Sequence, residues 1–211
     1  MKRRSNSRDL ILDATEALAL DAGASRVTLD AVAERAGVSK GGLLYNFPSK
    51  GALLEGLIAR LCERFDQAKE AARASSGGGR AAGLKAYVAT ALATEGSNDT
   101  AAGALLAAIA NDPKLLRPVR EHHRRYVEEL AASELPFAQA AVVWLATEGL
   151  WLYELLKLSP LVSSQRRQVV KELLRLADGA AGSGGRSAAN RGSPPARTRP
   201  PSRRHADRGA R

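Results

Sequence analysis

Residues 28–47 contain two short helical segments separated by a glycine, and this arrangement constrains the fold more than any other feature of the chain. Thr28 is a good N-cap for the first segment, and Gly37 is placed to end it in a left-handed conformation. Ser39 then caps a second short helix. Two helices joined by a short turn that contains glycine are typical of a helix-turn-helix. On spacing alone, an ordinary packed helical hairpin is an open alternative.

The rest of the chain also favours helices. Aromatic residues make up only 4% of the 211 residues, and the alternating β-branched pattern of strands is scarce. A hydrophobic content of 45% is enough to bury a core. We therefore predict an all-α protein of about nine helices. The predicted helices cover residues 7–22, 28–37, 39–47, 49–75, 80–94, 100–110, 113–132, 136–158 and 163–178, with a kink at Pro118.

Positive charge is concentrated at the two ends of the chain. The formal net charge is +10, and residues 179–211 hold eight arginines and one aspartate. This segment of Gly, Ser, Pro and Arg has no apolar periodicity, so we predict a disordered tail over residues 179–211. A second basic excess lies before the first predicted helix, where it suits an arm that contacts phosphates. Its members are Lys2, Arg3, Arg4 and Arg8.

Several classes of protein do not fit the sequence. The single cysteine, Cys62, allows no internal disulfide, and no signal sequence opens the chain, so secretion is not expected. The apolar stretch 137–158 contains Glu148 and Glu154, which are costly in a bilayer, so we expect a buried helix and no membrane association. No nucleophile with a base, paired carboxylates or phosphate loop is recognisable, and we predict neither enzyme activity nor a cofactor. Cysteine and histidine are too scattered for a metal site.

The first turn of the second short helix suits a close approach to DNA. It offers a hydroxyl, an ammonium group and unobstructed backbone N–H groups, from Ser39, Lys40, Gly41 and Gly42. Each glycine costs about 1 kcal/mol relative to alanine inside a helix, and close contact with DNA would compensate for this cost. The alternative is that the two glycines merely loosen a short helix.

The remaining residues of this helix divide between two faces. Leu43 and Phe47 are four residues apart and should face inward. Tyr45 and Asn46 then face outward, where a phenol and an amide can bond phosphate oxygens. Lys50 stands at the start of the next helix, where a cation opposes the helix dipole, and this favours a functional reason for its presence.

Residues 37–50 read Gly-Val-Ser-Lys-Gly-Gly-Leu-Leu-Tyr-Asn-Phe-Pro-Ser-Lys, and they resemble the recognition-helix block of the tetracycline-repressor (TetR) family. The resemblance continues upstream through residues 27–36 and covers about residues 8–58. It implies that Lys50 binds a backbone phosphate. Family members commonly have Tyr at position 44 and Thr or Ser at position 42, so Leu44 and Gly42 shift or remove two usual contacts. The predicted DNA contacts are Thr28, Ser39, Lys40, Gly41, Gly42, Tyr45, Asn46 and Lys50.

The resemblance also implies an architecture and a function. It places a DNA-binding domain in residues 1–55 and a helical domain for ligand binding and dimerisation in residues 56–178. The stretch 137–158 is apolar on all sides, as expected of a helix that also packs against a partner subunit, and TetR-like proteins dimerise through their last two long helices. A homodimer would read half-sites about 34–36 Å apart on a near-palindromic operator.

The expected function is that of a bacterial cytoplasmic transcriptional regulator, a repressor released from DNA by an unknown small molecule. The alternative is an architectural nucleic-acid-binding protein that relies on the basic tail.

The candidate effector pocket combines aromatic, histidine and acid side chains. Its predicted members are His123, Tyr126, Trp144, Glu148 and Trp151. Glu148 lies on one helical row between Trp144 and Trp151, which suits a cationic ligand that stacks on aromatic rings. The alternative is a structural glutamate paired with an arginine. In the predicted helix over 113–132, His123 lies on the apolar face with Tyr126, while His122 points outward; a histidine that is simply packed is the alternative for either.

Overall fold

The computed structural model describes residues 7–23, 26–93 and 112–182. Within these ranges the protein is all-helical, as predicted, with eight α-helices, a 3-10 turn over Pro113–Leu116 and no strand. The α-helices are α1 (Ser7–Ala22), α2 (Leu29–Ala36), α3 (Lys40–Asn46), α4 (Lys50–Ser75), α5 (Ala82–Leu92), α6 (Arg117–Ala132), α7 (Phe137–Leu155) and α8 (Ser163–Gly182). The predicted helix over residues 100–110 and the chain beyond residue 182 lie outside the described residues.

The first four helices form an N-terminal head that packs around one apolar core. Three of these helices begin at a side-chain cap, since Thr28, Ser39 and Ser49 each accept a bond from the backbone N–H three residues later. Gly37 ends α2 with φ 66°, the left-handed conformation that the sequence predicts. The core of the head consists mainly of Ile11, Leu12, Val32, Leu43, Phe47, Leu53 and Leu57.

A residue from outside the head completes this core. Leu115, in the 3-10 turn, is only 3% exposed and packs within the apolar cluster of the head, and Val119 packs against the same cluster. Arg117 donates a hydrogen bond of 2.6 Å to Glu55 on α4. The start of α6 is therefore fastened to the head by both apolar and charged contacts.

The C-terminal half forms a second core in which aromatic rings are prominent. Helix α4 is shared between the two halves, because its later turns pack closely against α5 and α6. The buried members of the second core include Tyr87, Val88, Tyr126, Leu130, Ala140, Trp144 and Leu173. In the described part of the chain, no helix has the length and apolar character needed to cross a membrane.

Some predicted boundaries and bends are wrong. Pro118 does not kink a helix, because it lies in the first turn of α6, where its missing N–H is not needed. Helix α7 ends at Leu155, short of the predicted residue 158, and Lys157 follows with φ 56°. Helix α8 continues to Gly182, so residues 179–182, predicted to begin the tail, are helical.

The glycine-rich segment 75–79 forms a tight turn between α4 and α5. Gly77, Gly78 and Gly79 all have positive φ, between 75° and 106°. Glycine reaches this region without steric cost, so the chain can reverse direction within a few residues. The turn lets α5 pack back along α4, which places both helices beside the aromatic core.

Candidate DNA-binding surface and effector site

Helix α3 presents one face to the core of the head and the other to solvent. Leu43 and Phe47 are 0% and 3% exposed, so the predicted inward face is confirmed. On the opposite side, Tyr45 is 91% exposed and Leu44 is 38% exposed. Gly41 is also exposed and lies one turn before Tyr45. The outer surface of α3 therefore exposes the backbone at Gly41 and the phenol of Tyr45.

The two predicted hydroxyl contacts also act as helix caps. The side-chain oxygen of Thr28 accepts from the Ala31 N–H at 3.2 Å, and that of Ser39 accepts from the Gly42 N–H at 3.0 Å. A hydroxyl that accepts a bond can still donate its own hydrogen. Each side chain can therefore cap its helix and donate to a phosphate oxygen at the same time.

The two glycines of α3 differ in how well the protein itself explains them. A Cβ added at Gly42 would lie 3.2 Å from the Ser39 hydroxyl oxygen, so the cap favours glycine there. A Cβ added at Gly41 would meet nothing within 4 Å. Packing within the head therefore does not explain glycine at position 41, whereas close approach of another molecule would.

Asn46 does not point outward as predicted. Its side-chain nitrogen donates to the Gly42 carbonyl oxygen at 2.9 Å and to the Ser7 hydroxyl at 3.4 Å, and the residue is partly buried. The amide therefore holds α3 against the start of α1. The predicted phosphate bond would require one of these donors to be released.

Basic residues stand at or near both ends of α3. Lys40 forms a 2.8 Å ion pair with Asp30, but both side chains are more than half exposed, and such surface pairs contribute only about 0–1 kcal/mol. Lys50 is partly buried at the first position of α4. The guanidinium carbon of Arg8 lies 5.3 Å from the centre of the Phe47 ring. The sequence identifies Arg8 as a basic residue but does not predict its contact with Phe47.

The predicted effector residues lie in a cluster of aromatic rings between α4, α5, α6 and α7. Tyr126 stacks on Tyr87 with ring centres 4.3 Å apart, and its ring centre lies 5.7 Å from that of Trp144. His123 meets Trp144 edge-on at 5.5 Å, and Phe65 meets Tyr87 at 5.0 Å. Sequence reasoning missed Tyr87 and Phe65.

Glu148 lies at the edge of this cluster. It accepts a 2.5 Å hydrogen bond from the Tyr87 hydroxyl, and its other oxygen is 3.6 Å from Nε2 of His123. The structure therefore brings together four of the five predicted pocket residues. The fifth, Trp151, is partly buried one turn further along α7 and packs against the same core.

The predicted orientations of the two adjacent histidines are reversed. His122 is 7% exposed, and its Nε2 lies 3.0 Å from an Asp66 oxygen on α4. The side chain of His123 is 36% exposed. The buried stripe of α6 is His122, Tyr126 and Leu130, which are spaced by four residues.

Burial sets the protonation of the aromatic cluster. It raises the pKa values of Tyr87 and Tyr126 far above 10, and the nearby Glu148 carboxylate adds to both shifts. Burial also lowers the pKa of His123 below 6.5, although the charge of Glu148 opposes this shift. At neutral pH both phenols and the His123 imidazole are therefore uncharged.

A cavity of about 240 Å³ lies beside the cluster. Its lining is Asp66, Lys69, Glu70, Arg73, Gly83 and Glu129. Lys69 is 8% exposed, pairs with Glu129 at 3.0 Å and Asp66 at 3.7 Å, and lies 4.9 Å from the centre of the Tyr126 ring. One cationic side chain therefore separates the cavity from the aromatic rings. No three His, Cys, Asp or Glu side chains in the described ranges form a set that could hold a metal ion.

Comparison with known proteins finds a matching family for each half of the chain. Residues 11–57 match the bacterial regulatory proteins of the tetR family, and residues 81–178 match the tetracyclin repressor-like C-terminal domain. The chain is 52% identical over 59 residues to the HTH-type transcriptional repressor KstR of Rhodococcus jostii, a match that covers 28% of each protein. It is 46% identical over 57 residues to the nucleoid occlusion factor SlmA of Aliivibrio fischeri, covering 26% of this chain and 29% of SlmA.

These curated relatives are matched over less than a third of their length, whereas structural similarity extends further. A TetR-family member from Streptomyces coelicolor A3 superposes with a TM-score of 0.62 over 80% of this chain and 98% of its own, at 23% identity. At that identity the likeness shows a common fold. The two family matches together cover both the head and the aromatic C-terminal core. The chain thus belongs to the TetR family of bacterial regulatory proteins.

Proposed function

We propose that this protein is a sequence-specific DNA-binding transcriptional regulator of the bacterial cytoplasm, a repressor that a small molecule releases from a near-palindromic operator. The proposal rests on the exposed face of α3, the second helix of a capped helix-turn-helix. On this face the backbone of Gly41 and the side chain of Tyr45 are open to solvent. Lys40, the first residue of α3, and Lys50, the first residue of α4, would supply positive charge for the phosphate backbone.

A second copy of the chain is the partner that the exposed face of α7 fits best. The side chains of Val142, Leu145 and Tyr153 are between 54% and 65% exposed, although the opposite side of the same helix is buried. Soluble proteins seldom leave such a row of large apolar side chains uncovered. Helix α8 adds Val169 and Leu176 to the uncovered surface. Two-fold packing of α7 and α8 would cover both rows and pair two heads on one operator.

Helix α6 provides a physical connection from the effector site to the head. Its start is held to the head by Leu115 of the preceding 3-10 turn and by the Arg117–Glu55 pair, and its middle carries His123 and Tyr126. An effector that displaces α6 would therefore also disturb the packing of α4 in the head. Release from DNA follows if the effector binds more tightly to the displaced arrangement.

Selection of DNA fragments tests the proposal. The full chain and a shortened chain that ends at Gly182 are each incubated with fragmented bacterial DNA at physiological salt. Enrichment of a near-palindromic site by both proteins supports the regulator. Diffuse, salt-sensitive retention that disappears with the shortened chain would instead favour the architectural function of the basic tail.

Substitutions on the head should separate phosphate contacts from base contacts. Tyr45→Ala or Lys50→Ala should each weaken binding to all selected sites by about fivefold to tenfold, because a lost phosphate contact carries little sequence information. Lys50→Ala should also lower the salt dependence of binding, whereas Lys40→Ala should change the preferred bases. Fluorescence anisotropy at several salt concentrations measures each effect.

The control for these variants is Arg124→Ala, which removes an exposed charge on α6, away from the head. Its operator affinity should stay within about twofold of the parent protein. Unchanged binding by all three head variants would rule out the proposed contact surface.

A further inference from the structure

We infer that Leu44 determines part of the sequence preference of the proposed regulator, by packing against the C5-methyl group of a thymine in each operator half-site. The inference rests on the proposed function and adds a base and the side chain that recognises it. Three observations support it: an exposed leucine on the DNA-binding face, an open backbone beside this leucine, and hydrogen bonds within the head that occupy the opposite flank of α3.

The side chain of Leu44 is open to solvent although both of its neighbours have clearly defined positions. Leu43 before it is 0% exposed in the core of the head, and Tyr45 after it is 91% exposed, whereas Leu44 is 38% exposed. Leucine has no polar atom, so it cannot form a hydrogen bond with a phosphate oxygen. On a DNA-binding face it can contribute to binding by removing apolar surface from water. The partner of Leu44 should therefore be an apolar group of the DNA.

The two flanks of α3 differ in how open they are to DNA. On one flank, the side-chain amide of Asn46 donates to the carbonyl oxygen of Gly42 at 2.9 Å, so this amide is already used within the head. The opposite flank carries Lys40, Gly41 and Leu44, which are neighbours on the helix surface because they are three and four residues apart. All three of these residues are exposed. Bases are therefore best read from the flank that contains Leu44.

Gly41 allows a base to approach Leu44 closely. Side chains on a helix incline toward its N-terminus, so Leu44 extends over the turn that contains Gly41. A Cβ added at Gly41 would meet nothing within 4 Å, so the packing of the head gives no reason for glycine there. Without this Cβ, the edge of a base pair can enter the recess between the Gly41 backbone and the Leu44 side chain. The recess lies in the N-terminal part of α3, where recognition helices contact base edges.

The chemistry of the major groove identifies the group that fits this recess. The bases present hydrogen-bond donors and acceptors there, and thymine alone adds a methyl group, at C5. A leucine placed against the polar edge of another base would bury donors or acceptors without a partner, which is unfavourable. Leu44 therefore favours thymine and disfavours the other bases. Lys40 lies about 6 Å earlier along the helix axis, so this thymine should be within about two base pairs of the base that Lys40 reads.

Removal of single methyl groups from the selected operator tests the inference. Each thymine of one half-site is replaced in turn by deoxyuridine, which lacks the C5-methyl group and keeps the same donors and acceptors. Fluorescence anisotropy with the full chain should show that one replacement, within about two base pairs of the Lys40 position, weakens binding by about threefold to tenfold. Leu44→Ala should bind the thymine and deoxyuridine forms of this operator equally, because the side chain that contacts the methyl group is gone.

Two further variants separate this contact from an effect on folding. Leu44→Met keeps an apolar side chain of similar volume and should keep most of the preference for thymine over deoxyuridine. Leu20→Ala removes a leucine of similar exposure, 40%, and should keep the full preference. Leu20 lies about 20 Å along α1 from Ser7, the residue that bonds to Asn46 at the end of α3.

No loss of affinity with any deoxyuridine, or the same loss for Leu44→Ala as for the parent protein, would overturn the inference and leave the operator itself established. Failure of the parent protein to enrich any operator would overturn the proposed function and the inference together. The two failures are therefore distinguishable.

Discussion

Gly56→Ala is expected to destabilise the DNA-binding head by about 1–3 kcal/mol, although alanine is the better helix former. Gly56 is buried in α4, and a Cβ at this position would lie 2.6 Å from Cε1 of Phe47. The Phe47 ring is itself 3% exposed, so it cannot swing aside into solvent. Either α4 or the end of α3 must therefore move. Because Phe47 directly follows α3, this movement would also displace the DNA-binding face and weaken operator binding.

Thermal and denaturant unfolding of Gly56→Ala measure the loss directly. Gly51→Ala is the control on the same helix, because its Cβ would make only an ordinary 3.7 Å contact with the Ser49 hydroxyl. We expect this control to be neutral or stabilised by up to about 1 kcal/mol. If Gly56→Ala were as stable as Gly51→Ala, the close packing of α4 against Phe47 would not require glycine at position 56.

Leu145→Asp is expected to abolish the proposed dimer and to weaken operator binding by at least about 100-fold. Leu145 is 59% exposed in the single chain, so the charge should leave the fold of each subunit intact. In a dimer that covers the outer face of α7, the same carboxylate would be buried without a partner, at a cost of several kcal/mol. Loss of the dimer also removes the advantage of two linked heads on one operator.

Analytical ultracentrifugation and operator titration measure the two effects of Leu145→Asp. Ala131→Asp introduces the same charge on the exposed side of α6 and should remain as dimeric as the parent. A Leu145→Asp protein that keeps the parental dimerisation constant would show that α7 does not form the interface. Another surface would then have to bring two heads together.

The ends of the helices in the head could be predicted because they depend on local chemistry. Thr28, Ser39 and Ser49 each cap a helix with a hydrogen bond to a residue three positions later, and such spacing is visible in the sequence. Gly37 likewise occupies the left-handed position that its residue type favours. The exposed position of Tyr45 followed from the inward pair Leu43 and Phe47. None of these features needs knowledge of distant residues.

The candidate effector site could be predicted only in part because it depends on contacts between distant segments. Tyr87 bonds to Glu148 across 61 residues of sequence, and nothing in the pattern of α5 marks Tyr87 for this role. Either His122 or His123 can share a helical face with Tyr126, at spacings of four and three residues. Asp66 on α4 decides between them by bonding to His122. The orientation of α6 is therefore fixed by tertiary contacts rather than by periodicity.

The insertion of Leu115 into the core of the head means that the head is not a transferable module. Residues 7–57 taken alone would leave the apolar cluster of the head without Leu115, and Glu55 would lose the Arg117 side chain. A chimeric regulator could be made by joining this DNA-binding segment to a foreign effector domain. For this protein, such a fusion would have to retain residues 113–119, or provide a substitute for them, to keep the head folded as it is in the complete chain.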